Sequence, residues 1–193
     1  MQTKQHIQPL MEWFYDRLSK EGFVSRLHRR ANAITRDEFV SEFYNMNSNL
    51  NVCPACDGKP PGRIGRKSLS ELDHFLPKSD YPFLSIHPLN LVPICMECND
   101  LRVKGDQDPI DNHNNAPMAN GFFPYTNAAL NSLVVFVSRR QAGQHEITLS
   151  EAKIKVSRRV NSLNRLYRLD ARWQGEISQI KERVEEHISH WHS

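Results

Sequence analysis

Four cysteines fall into two Cys-x-x-Cys pairs, Cys53-Pro-Ala-Cys56 and Cys95-Met-Glu-Cys98. Thiolates separated by two residues can grip one tetrahedral ion from a tight turn, and two such pairs make a closed four-thiolate zinc site. A closed site leaves no position for water, so one zinc per chain is expected to be structural, pinning a loop to the start of a helix. The N-terminus shows no charged segment followed by an apolar stretch and a cleavage site, so the thiols read as metal ligands before disulfides. Between the pairs lie Asp73-His74 and Asn90, and Asn99 follows the last cysteine directly.

Leu72-Asp73-His74, then Asn90-Leu91-Val92-Pro93, then Cys95-Met96-Glu97-Cys98-Asn99 with Lys104 downstream, give the stretch from Cys53 to Gly105 a specific pattern. It resembles the HNH endonucleases of the ββα-metal fold, in their subclass with a four-cysteine zinc frame. The resemblance covers roughly a quarter of the chain. It implies that His74 is the general base and Asp73 a metal-binding carboxylate. It further implies that Asn90 fixes the loop and the histidine geometry, and that Asn99, where the family's name has His, is the last metal ligand. Similar standalone proteins are often bacterial, and some serve antiphage (antiviral) defence beside an ATPase partner, as in Septu-type systems.

The chemistry can be stated without the family. Hydrolysing a phosphodiester needs water relieved of a proton near neutral pH, and an imidazole of ordinary pKa about 6.5 is suited to accept it. His74 supplies that group. Charge developing on the leaving 3′ oxygen and the nonbridging oxygens could be met by a hard cation held by Asp73 and the Asn99 amide oxygen. Oxygen ligands favour Mg²⁺ or Mn²⁺, and one carboxylate with one amide favours a one-metal mechanism. Phosphate contacts are expected from Lys59, Arg63, Arg66 and Lys67 in the first cysteine loop, and from Lys78, Arg102 and Lys104. The rival reading is a non-catalytic zinc-containing module that binds nucleic acid or protein. His87, His113, His187, His190 and His192 lack a supporting pattern and read as loop or tail residues.

These residues need elements to hold them. Apolar residues at helical spacing predict a helix from about His6 to Leu27 with Pro9 in its first turn, and Thr35 with Glu38 forms a capping box for a second helix ending by Asn47. The Pro- and Gly-rich stretch Cys53 to Gly65 predicts a loop. Leu69–Phe75 and Leu89–Pro93 read as strands and Cys95–Val103 as a helix, giving ββα; Gln107–Asn120 reads as a polar loop. Leu133–Val137 and Glu146–Leu149 predict a hairpin, and apolar residues from Leu166 to Trp191 predict one helix of about 27 residues. The expected fold is α+β: a zinc-framed ββα-metal module over 49–125, between an N-terminal helical segment over 1–48 and a C-terminal β-hairpin with a long amphipathic helix over 126–193.

The net charge of +3 is too small to identify a partner, but seven basic residues stand against Asp170 alone between Lys153 and Arg172. Nucleic acid is the expected partner, DNA before RNA. Ile180, Val184, Ile188 and Trp191 form an apolar strip expected to contact a second copy or another protein, while Arg165, Arg168 and Arg172 face nucleic acid or that partner. No run of 18 apolar residues exists, so a membrane span is excluded and a cytoplasmic setting is expected.

Overall fold

The computed structural model describes residues 2–21, 34–47, 50, 52–58, 62–64, 67–110, 122–123, 125, 133–139, 145–151 and 157–191. The chain is a mixed α+β structure of small antiparallel sheets and helices around a four-cysteine cluster. No helix among the described residues is long and apolar enough to cross a membrane.

Helix α1 spans Gln2–Glu21 and begins earlier than expected, so Pro9 lies inside it and forgoes one helical hydrogen bond on an exposed side. Helix α2, Arg36–Met46, starts at the capping box: Thr35 Oγ1 accepts from the Glu38 amide at 3.2 Å and a Glu38 carboxylate oxygen accepts from the Thr35 amide at 2.7 Å. Leu18 of α1 and Val40 of α2 pack with Ile34, Leu72 and Leu91 in one apolar cluster.

After a two-stranded turn, β1 (Arg63–Ile64) with β2 (Lys67–Ser68), strand β3 (Glu71–His74) pairs antiparallel with β4 (Leu91–Ile94). Register sets Leu72 opposite Pro93, Asp73 opposite Val92 and His74 opposite Leu91. Successive strand residues face opposite sides of a sheet. Leu72 and Leu91 therefore enter the cluster with the N-terminal helices, while Val92 and Ile94 enter a second cluster with the four cysteines.

The expected helix from Cys95 to Val103 is cut to a single turn, α3 (Met96–Asn99). Asp100 ends it: its backbone is extended, and its carboxylate accepts from the Arg102 amide at 2.8 Å. A local side-chain bond of this kind competes with helix continuation. The chain then turns through Gly105, at φ +47°, where an added Cβ would come within 2.8 Å of the Leu101 carbonyl.

Strands β5 (Leu133–Arg139) and β6 (His145–Glu151) form the expected hairpin. The single long C-terminal helix is corrected to two, α4 (Ser157–Tyr167) and α5 (Leu169–Trp191), broken at Arg168, which is left-handed at φ +50°. Leu166 and Leu169 keep helical spacing across the break, so periodicity alone conceals it. Both are buried with Tyr167 in the cysteine cluster's core, which binds the C-terminal helices to the central segment. Farther along α5, Ile180 and Val184 are half-exposed.

Candidate functional site

Each cysteine pair sits on a turn shaped for it. In the first, the Cys53 carbonyl accepts from the Cys56 and Asp57 amides, the Cys53 amide donates to Gly58, and Asp57 takes a left-handed conformation at φ +53°. A Cβ at Gly58 would stand 3.1 Å from Cys56 Sγ, so glycine leaves room for the sulfur. In the second, Cys95 precedes α3 and Cys98 lies within it.

All four thiols are buried and their sulfurs lie within 4.8 Å of one another. Cys53 and Cys98 are 4.0 Å apart, and Cys56 and Cys95 3.9 Å. Tetrahedral zinc with bonds of about 2.3 Å requires sulfurs about 3.8 Å apart, so the donor set fits zinc. The four residues singled out by spacing thus converge on one metal-sized cluster.

Two features of this site are not legible as motifs. Arg172 of α5 donates from Nη1 to Cys98 Sγ at 3.1 Å, and Trp173 donates from Nε1 to the Cys56 carbonyl at 3.0 Å. The Cys95 amide also donates to Cys53 Sγ at 3.3 Å. Arg172, expected to face nucleic acid or a partner, is turned toward the sulfurs instead. Arg165 of the same strip donates to the Asp108 carbonyl.

His74 sits on the opposite side of β3 from Asp73. Its Nε2 lies 2.9 Å from the Ser85 carbonyl, which can only accept, so Nε2 carries the proton and the lone pair is on Nδ1. The Tyr15 ring of α1 covers the imidazole, with ring centroids 4.5 Å apart. Burial pushes the His74 pKa down to about 4, with the Ser85 bond opposing and Lys78 and Lys104 adding to the fall. His74 is therefore neutral near pH 7.

Asn90 is buried and holds the segment carrying Ser85. Its Oδ1 accepts from the Leu76 amide at 2.8 Å, and its Nδ2 donates to the Leu76 and Leu84 carbonyls at 3.0 and 3.1 Å. His74 and Asn90 are thus joined through one loop: the asparagine fixes the backbone whose carbonyl orients the histidine.

Asp73 belongs to the other side. Lys104 Nζ donates to Asp73 Oδ1 at 2.9 Å and to the His74 carbonyl at 2.7 Å, with Lys104 1 % exposed and Asp73 4 %. Burial raises the Asp73 pKa and the ammonium of Lys104 pulls it down. Lys104 is thus no surface phosphate contact; it is corrected to a buried counterion, because the turns after α3 carry it under β3. Asp73 Oδ2 is buried without a hydrogen-bond donor, which leaves one oxygen with capacity for a cation. Asn99, half-buried at the end of α3, shares no hydrogen bond with Asp73.

Among the remaining expected cations, Lys78 and Arg102 each have a side-chain partner. Lys78 extends its ammonium over the Tyr15 ring, 5.5 Å from the centroid, on the His74 side. Arg102 is exposed but engaged by Asp100 at 2.9 and 3.0 Å. Arg63 and Lys67 are strand residues of β1 and β2, while Lys59, Arg66, His113 and His192 lie outside the described residues.

Comparison with known proteins gives one partial likeness. A 47-residue stretch, 24 % of this chain, is 47 % identical to protein ea31 of Escherichia phage lambda. The match covers 14 % of that phage protein. No protein-family model matches the chain, and no solved structure matches it.

Proposed function

We propose that the protein is a metal-dependent endonuclease of the HNH type, hydrolysing phosphodiester bonds of nucleic acid, DNA before RNA. One observation carries this reading: half-buried His74 is held through Nε2 by the Ser85 carbonyl, so that Nδ1 presents a lone pair in a fixed direction. A histidine serving only as packing would have no need of a loop pinned at three points by Asn90.

In the proposed reaction a water oxygen attacks phosphorus, its proton passes to His74 Nδ1, and the bond from phosphorus to the 3′ oxygen breaks. The Ser85 carbonyl stabilises the imidazolium that forms, since Nε2–H still donates to it. A divalent cation at Asp73 Oδ2 and Asn99 would supply positive charge to the phosphate and leaving oxygens from the other side of β3. This requires the substrate to reach round the strand end, since Lys104 holds Oδ1 there. Oδ2 of Asp73 is the atom that suits the cation, and Lys78, over the Tyr15 ring, lies on the His74 side. Zinc at the four cysteines would hold the turn carrying Cys53 and Cys56 against α3 and do no chemistry.

The second reading, a zinc-containing binding module without catalysis, draws on the Lys104–Asp73 pair, which already neutralises the carboxylate. Incubation with plasmid, single-stranded DNA and tRNA, each with Mg²⁺, Mn²⁺ or EDTA, separates the two. Cation-dependent cleavage lost in His74→Ala supports the nuclease. Binding without cleavage under every condition replaces it with the module.

A further inference from the structure

The four-cysteine cluster is closed by groups from a distant part of the chain. Cys53 and Cys56 come from the first turn, Cys95 and Cys98 from the second, yet Arg172 and Trp173 arrive from α5, 74 residues beyond Cys98 and 117 beyond Cys56. The two side chains meet different ligands: the guanidinium meets a sulfur and the indole meets the carbonyl of a ligand residue. Arg172 also donates to the Tyr167 carbonyl at 3.3 Å and lies 3.8 Å from Glu97, so it joins α4, α5 and α3 at one point.

Charge explains why a guanidinium belongs there. Four thiolates around one divalent ion leave a formal charge of about −2 in a buried site, which needs compensation. A bond from N–H to sulfur also removes electron density from a thiolate and slows its protonation and departure from the metal.

We propose that Arg172 and Trp173 form the outer sphere of the four-cysteine metal site and tie metal retention to the docking of α5. The site then has six participants, and the C-terminal helix is a clamp on the metal. The apolar residues beside them, Leu166, Tyr167 and Leu169, bury the clamp's root in the same core. This inference is independent of nuclease activity.

The test uses the full chain loaded with zinc and follows metal transfer to an excess of chromophoric chelator. Arg172→Met should release zinc about 10- to 100-fold faster than the parent, the range typical of losing an outer-sphere partner. Arg172→Lys, which keeps the charge, should release it more slowly than Arg172→Met. Arg165→Met is the control, because it removes a comparable contact to Asp108 without touching a sulfur, and it should leave the rate near that of the parent. Trp173→Phe should speed release less than Arg172→Met, since only the carbonyl loses a donor. Should Arg172→Met not fold, Arg172→Gln tests the same loss of charge. A parent that binds no zinc, an Arg172→Met or Arg172→Gln rate equal to the parent's, or an equal acceleration by Arg165→Met would overturn the proposal.

Discussion

Lys104 and Asp73 form a buried ion pair 2.9 Å long, and the same ammonium also caps the carbonyl of His74. The pair thus anchors the end of β3 from the face opposite the imidazole. Removing one partner of a buried pair strands the other's charge, which costs about 3–5 kcal/mol. Lys104→Met should destabilise by that order in urea unfolding. The double variant Lys104→Met with Asp73→Asn should recover much of the loss.

His74→Ala is expected to lower cleavage by about 10² to 10⁴-fold, the usual contribution of a general base. Zinc content should change little, while stability should fall by about 1–3 kcal/mol because the buried Ser85 carbonyl loses its donor. Asn90→Ala should also slow cleavage and, in addition, destabilise by about 1–3 kcal/mol for each buried group it leaves unpaired. Rates and melting measured side by side separate the two effects.

The pH dependence of stability follows from His74. Its folded pKa of about 4 lies below the ordinary 6.5, so the unfolded chain binds the proton more readily. Its contribution is fully favourable above about pH 6.5, falls at up to about 1.4 kcal/mol per pH unit as pH drops, and levels off below the folded value. The raised pKa of Asp73 acts in the opposite direction. Subtracting the profile of His74→Gln, which keeps a donor for Ser85, isolates the histidine; identical profiles would remove it as the source.

One zinc per chain is expected by elemental analysis after purification without chelator. Cys95→Ser should lower zinc content and melting temperature together, because Cys95 lies at the start of α3 and its amide bonds Cys53 Sγ. Zinc well below one per chain in the parent would contradict the metal assignment.

Truncation after Gln179 removes the half-exposed Ile180 and Val184. Melting should fall by little, since these side chains remain half in solvent. Light scattering reads the proposed partner contact in the same samples: a larger parent than truncated chain supports self-association through the strip, and equal monomers remove it.

The cysteines were legible in the sequence because a metal site is a statement of residue type and spacing, and so was the capping box at Thr35, whose partners lie three residues apart. The β3–β4 pairing was legible in outline, since two apolar runs marked the strands and Pro93 marked where the next helix could begin. Three matters were decided only by tertiary structure. Asp73 and His74 are sequence neighbours, yet the pleat sends them to different cores. Lys104 looked like a surface cation, but turns after a one-turn helix bury it where Asp73 needs a counterion. Arg172 looked like part of a basic strip, and the left-handed break at Arg168 with burial of Leu166 and Leu169 delivers it to Cys98. Local sequence encodes ligands and periodicity, whereas the face a charged side chain finally meets depends on which distant segments share its core.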